Sequence, residues 1–392
     1  MGIGFVLLAA ALTVPPAGAC SDPPPARPLI TAQPWAQRTL DPAAVWPFST
    51  GAGVTVAVVD SGVDTGHPQL RSRGAVLRGQ DFDLAGDLPG TFDCDSHGTA
   101  VASIVAARPA AGVGFAGLAP GATILPVRVS DRGLTDEGAV RMIDPNVLAR
   151  GIWYAADHGA TVMNLSLAGA GDNPRIRDAI RHAVARDVLV VAAAGNGQQG
   201  LTPEVSYPAA YPGVLGVGAV DENGQRLPGS QIGPQVDLVA PGGAVIAATR
   251  AGGHQYLQGT SFAAPFVTAT AALVRSAWPE LTAPQVAARI LATATPAPGG
   301  RGSRAYGAGL VNPYRAVTDG LTSAPAALAP PVSPLRAKPS PRSFPAYPIV
   351  AVAVCLLLVS GRALLTRRNW RPRRAAPLPE QPATVDVPVN LF

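Results

Sequence analysis

The chain is poor in charged and aromatic residues, which make up 14% and 5% of its 392 positions. Its only lysine is Lys338, whereas it contains 43 glycines and 41 prolines. Glycine and proline at this density interrupt long helices, so the composition argues against coiled coils and long helical bundles. Apolar residues make up 47% of the chain, which argues against disorder and allows a sizeable buried core.

A general excess of basic charge is also lacking, although the net charge is +5. Six of the thirty basic residues lie in one stretch near the C-terminus, residues 362–374, and without these six the net charge is −1. The bulk of the protein is therefore close to neutral. This distribution argues against nucleic acid as a partner.

The N-terminus has the features of a secretory signal peptide over residues 1–19. Residues 3–14 form an apolar run too short to span a bilayer, and Ala17-Gly18-Ala19 fits a signal-peptidase cleavage pattern. No Lys or Arg precedes the apolar run, which is unusual for a signal. We therefore expect export from the cytoplasm, with an N-terminal core segment as the alternative.

A second apolar run, over residues 349–366, predicts one transmembrane helix. Arg362 lies near its end, where a long side chain can reach the membrane interface. The basic tail, residues 367–392, follows at once, and the positive-inside rule places it in the cytoplasm and everything before the span outside. The proline-rich residues 321–348 predict an extended spacer. The sequence thus predicts a single-pass cell-membrane protein with an extracytoplasmic domain. A buried core helix is the alternative for the second run.

Between residues 51 and 320, short apolar runs alternate with segments of helical length. The apolar runs are 54–59, 123–129, 161–167, 188–193 and 214–220, and helical segments are expected at 144–158 and 173–187. This alternation is typical of an α/β domain with a mainly parallel central sheet. Ligands of open α/β sheets bind at the carboxyl ends of the strands, so we expect the functional residues there.

Three junctions in this region carry residues capable of catalysis. Asp60 ends an apolar run, while His97 and Ser261 each begin an apolar segment of helical length. Each residue alone also fits a structural function as a turn or capping residue. Together they supply an orienting carboxylate, a general base and a nucleophile. Asn196 follows the run 188–193 and is a candidate oxyanion donor beside the Ser261 N–H, with an ordinary loop asparagine as the alternative.

The segments around these residues resemble the subtilisin-like serine proteases. The matching segments read VAVVDSGVD from residue 56, HGTAVASIVA from residue 97 and GTSFAAPFV from residue 259. The order Asp, His, Ser separates this family from the chymotrypsin-like enzymes and the α/β-hydrolases. The resemblance covers residues 51–320. It implies a subtilisin-like three-layer fold and a serine endopeptidase with Asp60, His97, Ser261 and Asn196 as catalytic residues and no cofactor.

The resemblance also implies a binding site for an extended peptide or protein substrate. Ser166, Leu167 and Ala168 correspond to the family's substrate-pairing strand, and Ala193, Ala194 and Gly195 correspond to one wall of its primary specificity pocket. Ala168 stands where many members have glycine, which implies a narrower pocket. Walls of alanine and glycine suggest small apolar groups as the preferred substrate side chains.

Within that family, the order of segments is most similar to the mycosins, the membrane-anchored proteases of actinobacterial type VII secretion systems. The shared features are the signal peptide, an N-terminal arm over residues 20–50, a cysteine beside the His motif, the proline-rich linker and the single span. The resemblance implies components of the secretion membrane complex as partners. It also leaves open a mainly structural function in that complex, with proteolysis secondary. Whether the arm blocks the cleft stays open, and a freely released exoprotease is opposed by the predicted span.

The three cysteines differ in their predicted surroundings. Cys355 lies in the predicted span, Cys20 would be the first residue after signal cleavage, and Cys94 lies beside the His motif. In an oxidising compartment, Cys20 and Cys94 are the available pair for a disulfide. Lipidation of Cys20 is the alternative, although Ala17 stands where a lipobox usually has leucine.

An acidic stretch precedes His97 and contains Asp81, Asp83, Asp87, Asp93 and Asp95. Some subtilases bind calcium, but these residues lack the regular spacing of a calcium loop. A solvated loop fits them better. We therefore predict no metal site.

Overall fold

A computed structural model of the protein describes residues 20, 25–84, 87–130, 143–200, 202–203 and 205–320. The predicted signal peptide, linker, transmembrane helix and cytoplasmic tail lie outside these residues. None of the helices in the described part combines the length and apolar character that crossing a bilayer requires.

The strands are short, and most of their residues are buried, as expected for a sheet covered on both faces. They are β1 Thr55–Asp60, β2 Gln80–Asp81, β3 Thr123–Arg128, β4 Val162–Leu165, β5 Leu189–Ala193, β6 Val214–Val220, β7 Leu238–Pro241, β8 Val245–Ala248 and β9 His254–Leu257. The five strands predicted from apolar runs are confirmed as β1, β3, β4, β5 and β6. The strands β2, β7, β8 and β9, which span two to four residues, were not predicted from the sequence.

Seven of the strands form one sheet in the order β2-β3-β1-β4-β5-β6-β7, and all its neighbouring pairs are parallel. Strands β8 and β9 form a separate antiparallel pair. Strand β1 lies between β3 and β4, so the chain leaves β1 in one direction and later returns on its other side. This reversal of strand order opens a crevice at the carboxyl end of β1, where Asp60 lies.

The helices are α1 Trp35–Leu40, α2 Pro42–Val45, α3 His97–Ala106, α4 Pro145–Asp157, α5 Pro174–Ala185, α6 Thr260–Ala277, α7 Ala283–Thr293 and α8 Pro313–Thr318. The predicted helices at 144–158 and 173–187 are confirmed as α4 and α5. Both begin with a side-chain cap, Asp144 or Asn173, followed by proline at the first helical position. Proline fits there because that position has no intrahelical N–H bond to lose.

Alternating strand residues belong to two separate cores, which makes the fold three-layered. Val56 and Val58 of β1 pack in the core that includes α3, α6 and α7, whereas Ala57 and Val59 pack in the core with α4 and α5. This two-residue period follows from side chains that point to opposite faces of a strand. The prediction of an α/β fold with a mainly parallel sheet between helical layers is confirmed.

The described part of the N-terminal arm, Cys20 and residues 25–50, is attached to the domain at several points. The Arg27 N–H donates to the Gly252 carbonyl at 2.9 Å, and the His254 N–H donates to the Pro28 carbonyl at 3.1 Å. The disulfide predicted between Cys20 and Cys94 is present in the structure, with a Cα–Cα distance of 5.2 Å. The arm is therefore covalently tied to the loop that leads into α3.

Candidate active site

Asp60 and His97 form a close pair at the carboxyl end of β1. The distance between His97 Nδ1 and Asp60 Oδ1 is 2.7 Å, and the Asp60 side chain is fully buried while that of His97 is 11% exposed. A carboxylate on Nδ1 fixes the imidazole tautomer and leaves Nε2 as the basic nitrogen. His97 Nε2 is buried and has no hydrogen-bond partner among the residues the structure describes. The Asp60 contact therefore fixes the orientation of the His97 ring, and Nε2 forms no hydrogen bond with the described residues.

Ser261 lies in the first turn of α6, next to this pair. The His97 ring centroid is 5.1 Å from that of Phe262, the residue after Ser261. The Ser261 hydroxyl donates to the Ser166 carbonyl at 3.2 Å rather than to His97. Catalytic hydrogen bonds are often long or unmade without substrate, so this rotamer fits a nucleophile at rest. The fold therefore brings the three predicted catalytic residues into one crevice.

Asn196 is held against the residue that precedes Ser261. Its Oδ1 accepts from the Thr260 backbone N–H at 2.9 Å and from the Thr260 hydroxyl at 3.1 Å. Gly259, with φ of +132°, makes this approach possible, because a Cβ there would lie 3.1 Å from Asn196 Nδ2. With its oxygen bonded on one side, the amide keeps its Nδ2 group as a donor next to Ser261.

The residues predicted to pair with substrate have different surroundings. Ser166 and Leu167 are buried, whereas Ala168 is exposed. The Ser166 hydroxyl donates to the Ser261 carbonyl at 2.6 Å, so its side chain supports the α6 terminus. Substrate pairing along this segment stays a prediction, and only Ala168 is open to solvent.

The Ser261 carbonyl is available to Ser166 because of a proline one turn later. Pro265 lies inside α6 and has no N–H to donate to the carbonyl four residues before it, which is that of Ser261. The Ser166 hydroxyl supplies the missing hydrogen bond. Pro265 and Ser166 together therefore fix the backbone at Ser261, the predicted nucleophile.

The residues predicted as a wall of the specificity pocket lie at and after the end of β5: Ala193 is its last residue, Ala194 and Gly195 follow it, and all three are buried. The Ala194 carbonyl accepts a hydrogen bond from the Ser206 hydroxyl. Gly195 has φ of +103°, and a Cβ at this position would lie 2.6 Å from Gln231 Oε1. Glycine is thus required where the chain turns from Ala193 and Ala194 toward Asn196. The function of these three residues as a specificity pocket stays a prediction.

Comparison with known proteins agrees with this arrangement. Residues 51–309 match the Subtilase family, Peptidase_S8. The chain belongs to the subtilase family. It is a subtilisin-like serine endopeptidase.

Among characterised relatives, this subtilase is similar to Mycosin-1 of Mycobacterium tuberculosis H37Rv, with 36% identity over 390 residues that cover 86% of this chain and 85% of the relative. It is also similar to Subtilisin Savinase of Lederbergia lenta, with 39% identity over 280 residues, 71% of this chain and 96% of the relative. The mycosin similarity therefore extends beyond the part shared with subtilisins.

Solved structures of mycosins also match most of this chain. MycP1 from Mycobacterium smegmatis matches with a TM-score of 0.67 and 33% identity, covering 81% of this chain and 92% of that structure. The MycP3 protease from the type VII (ESX-3) secretion system matches with a TM-score of 0.65 and 32% identity, covering 79% of this chain and 98% of that structure. The fold of this subtilase is thus that of the mycosins.

Sequence reasoning missed a series of buried, hydrogen-bonded polar residues that leads to the Ser261 carbonyl through Ser166. The Thr268 hydroxyl donates to Asn164 Oδ1 at 2.9 Å, and Asn164 Nδ2 donates to the Ser166 hydroxyl at 2.9 Å. All three side chains are fully buried. These residues could have been found from the sequence, because Asn164 lies in an apolar strand and Thr268 in an apolar helix. Polar side chains buried in such elements need hydrogen-bond partners.

The acidic stretch differs from the predicted solvated loop, because Asp81 and Asp93 are buried and Asp83 is only partly exposed. Arg128, at the end of β3, donates to Asp81 at 3.1 Å and to Asp83 at 3.4 Å. Asp93 is buried, and its burial raises its pKa to about 6. In the part of the chain that the structure describes, no three His, Cys, Asp or Glu side chains are grouped to hold a metal ion. The absence of a metal site stays a prediction.

Proposed function

We propose that this chain is a membrane-anchored, extracytoplasmic serine endopeptidase that acts in type VII protein secretion, with Asp60, His97 and Ser261 as its catalytic triad. The observation that carries the triad is the 2.7 Å contact between His97 Nδ1 and the buried Asp60 carboxylate, next to the α6 terminus that bears Ser261. The secretion context is supported by the mycosin relatives, which match over most of this chain.

Peptide cleavage begins with attack of Ser261 Oγ on the substrate carbonyl carbon. His97 Nε2 accepts the hydroxyl proton, and the new C–O bond converts the carbonyl oxygen into an oxyanion. His97 then gives the proton to the leaving amine as the C–N bond breaks. Water repeats the sequence on the acyl-enzyme, and the acid product leaves with Ser261 regenerated. Asp60 stays ionised and stabilises the imidazolium.

The oxyanion is stabilised by two donors at the α6 terminus. Asn196 Nδ2 is one, because its Oδ1 is bonded to Thr260 and orients the amide. The Ser261 backbone N–H is the other, since the first N–H groups of a helix have no intrahelical acceptor. Such donors stabilise the developing charge without reorganisation during the reaction.

Substrates are protein segments in an extended conformation. The exposed Ala168 lies at the end of the buried segment Ser166–Leu167, and backbone pairing along this edge gives affinity with little side-chain preference. The small residues Ala193, Ala194 and Gly195 favour a modest apolar group before the scissile bond.

The extracytoplasmic location is supported by the disulfide between Cys20 and Cys94, because such bonds persist in oxidising compartments. Anchoring by residues 349–366 and a cytoplasmic tail over residues 367–392 follow from the sequence pattern.

The catalytic function is tested by labelling the purified full chain with a fluorophosphonate that reacts with activated serine. We expect the wild-type chain to be labelled and Ser261→Ala to remain unlabelled. Ser303→Ala, which alters a loop serine remote in sequence from the catalytic motifs, serves as the control and should label like the wild type. Absence of labelling in a folded wild-type chain would contradict the triad.

One observation favours a second candidate, a structural function in the secretion complex. The related serine protease MycP1 is an essential component of the type VII (ESX-1) secretion system, which is compatible with a structural contribution as well as a catalytic one. A deletion strain complemented by Ser261→Ala would show that secretion needs the folded chain rather than its activity. Complementation by the active enzyme alone would assign the essential function to proteolysis.

A further inference from the structure

The structure contains a buried carboxylate that the triad mechanism does not use. Asp93 lies four residues before His97, is 3% exposed and follows no strand of the sheet. An ionisable group at this depth requires compensating hydrogen bonds, because burial disfavours its charge. Its partners therefore indicate what it stabilises.

Five donors converge on the Asp93 carboxylate. Oδ1 accepts from the Ser61 hydroxyl at 2.9 Å and from the N–H groups of Asp95 and Ser96 at 3.0 Å each. Oδ2 accepts from the Thr99 N–H at 2.8 Å and from the Thr99 hydroxyl at 2.6 Å. These donors come from both sides of the Asp60–His97 pair.

Three of the five contacts come from the beginning of α3, the helix that His97 opens, and two of these are with backbone N–H groups. Ser96, with φ of +75°, provides no side-chain cap for this helix. Asp93 accepts the N–H groups of Ser96 and Thr99 instead, and its negative charge lies at the positive end of the helix dipole. Asp93 thus sets the first turn of α3, and with it the backbone of His97.

The contact with Ser61 links this turn to the end of β1. Ser61 follows Asp60, and its N–H donates to Asp60 Oδ1 at 2.8 Å. Its hydroxyl accepts from the Gly98 N–H at 2.9 Å while donating to Asp93. Because a carboxylate only accepts hydrogen bonds, Asp93 forces the Ser61 proton toward itself and leaves a Ser61 lone pair for Gly98. The same hydroxyl therefore joins the residues that follow Asp60 and His97.

We propose that Asp93 is a positioning residue for peptide hydrolysis, which holds the Asp60 strand end and the His97 helix in register through the Ser61 hydroxyl. This proposal rests on the proposed triad mechanism. A misplacement of His97 by about 1 Å can lower a catalytic rate about 100-fold, so the network acts on the rate of attack rather than on binding.

The test measures fluorophosphonate labelling of the full chain over a range of reagent concentrations, which separates the maximum rate constant from the half-saturating concentration. We expect Asp93→Asn to lower the maximum rate constant about 10- to 100-fold with the half-saturating concentration within about twofold of wild type. Circular dichroism establishes that each variant is folded.

Asp237→Asn is the matched control. Burial raises the pKa of Asp237 to about 6, as it does for Asp93, but Asp237 directly precedes the edge strand β7, and β4, β5 and β6 lie between that strand and β1, which carries Asp60. Its carboxylate accepts from the Gly216 N–H at 2.7 Å. We expect this variant to keep the wild-type labelling rate.

A double-mutant cycle with Ser61→Ala tests the route of the effect. If Asp93 acts through Ser61, the double variant Asp93→Ala, Ser61→Ala should label about as slowly as Asp93→Ala alone, because alanine at position 93 has already removed the acceptor of the Ser61 hydroxyl. If the two substitutions slowed labelling by factors that multiply in the double variant, Asp93 would not act through Ser61, and this part of the proposal would be overturned.

If Asp93→Asn does not fold, the variants Thr99→Val and Thr99→Ser test whether the contacts of Asp93 affect the labelling rate. Valine removes the 2.6 Å hydroxyl contact with Asp93, and serine keeps a hydroxyl donor at this position. We expect slow labelling for valine and near wild-type labelling for serine. Equal rates for these two variants, or a wild-type rate for folded Asp93→Asn, would overturn the proposal while the triad stands. A wild-type chain that does not label would overturn the triad itself and the proposal with it.

Discussion

At the scale of single residues, Asn196 combines a fixed orientation with an exposed donor. Thr260 holds its Oδ1, so removal of the side chain would take away one of the two donors proposed for the oxyanion. We expect Asn196→Ala to lower kcat about 10²- to 10³-fold with little change in KM, the loss found for such a donor in subtilisin. Hydrolysis of a tetrapeptide anilide measures both constants. Asn223→Ala, in an exposed turn, is the control, and a large rise in KM alone for Asn196→Ala would contradict this assignment.

Asp237 is a residue whose charge opposes folding. Burial raises its pKa from 3.8 to about 6, so the neutral form is favoured in the folded protein. Its contribution to stability is present below pH 3.8 and is lost as the pH rises through about 6, amounting to at most about 3 kcal/mol because one pKa unit corresponds to about 1.4 kcal/mol. We expect Asp237→Asn to raise the Tm at pH 7.5 and not at pH 4, measured by thermal unfolding. A lower Tm at pH 7.5 would show that the charged carboxylate stabilises the fold.

At the scale of elements, the N-terminal arm lies against β9 through a histidine that titrates. His254 Nε2 donates to Gln69 Oε1 at 2.7 Å, while Nδ1 accepts from the Ile30 N–H at 3.4 Å. Burial and the neighbouring His67 lower the pKa of His254 from 6.5 to about 4, so the neutral ring is favoured in the folded protein. This stabilisation is present above pH 6.5 and is lost as the pH falls toward 4.

We therefore expect the arm to loosen in acid, because a protonated Nδ1 can no longer accept the Ile30 N–H. Hydrogen exchange of residues 25–34, corrected for intrinsic rates, should rise between pH 7 and pH 4.5 in a Ser261→Ala background. In His254→Gln, which does not titrate, this pH dependence should be weaker. His182→Gln, on the distant helix α5, is the control. Equal pH dependence with and without His254 would exclude it as the cause.

At the scale of the whole molecule, the disulfide between Cys20 and Cys94 ties the N-terminal arm to the loop that carries Asp93. The two cysteines are separated by 74 positions, and cross-links that close loops of this length stabilise by about 2–5 kcal/mol. We expect the double variant Cys20→Ser, Cys94→Ser to unfold at lower denaturant concentration by an amount in this range. Cys355→Ser leaves the disulfide intact and should unfold like wild type. An unchanged midpoint for the double variant would show that the arm is held by its other contacts.

The amino-acid sequence alone was sufficient to predict a mainly parallel sheet, five of its seven strands and the subtilase family. Buried parallel strands are nearly continuous apolar runs, and so β1, β3, β4, β5 and β6 could be identified. Asp60, His97 and Ser261 could be selected as candidates because their order and flanking residues match the subtilases. These are local properties of the chain, since period, apolar runs and motif letters do not depend on residues distant in sequence.

Only the tertiary structure decided which polar side chains support the site. Asp93 belongs by sequence to an acidic loop, but folding buries it between Ser61 and Thr99, which lie 32 positions before it and 6 positions after it. Ser166 belongs to a predicted substrate strand, but Pro265 removes a helical N–H and leaves the Ser261 carbonyl for its hydroxyl. Hydrogen-bond partners of buried polar groups are set by which segments pack together, and no local pattern in the sequence records that packing.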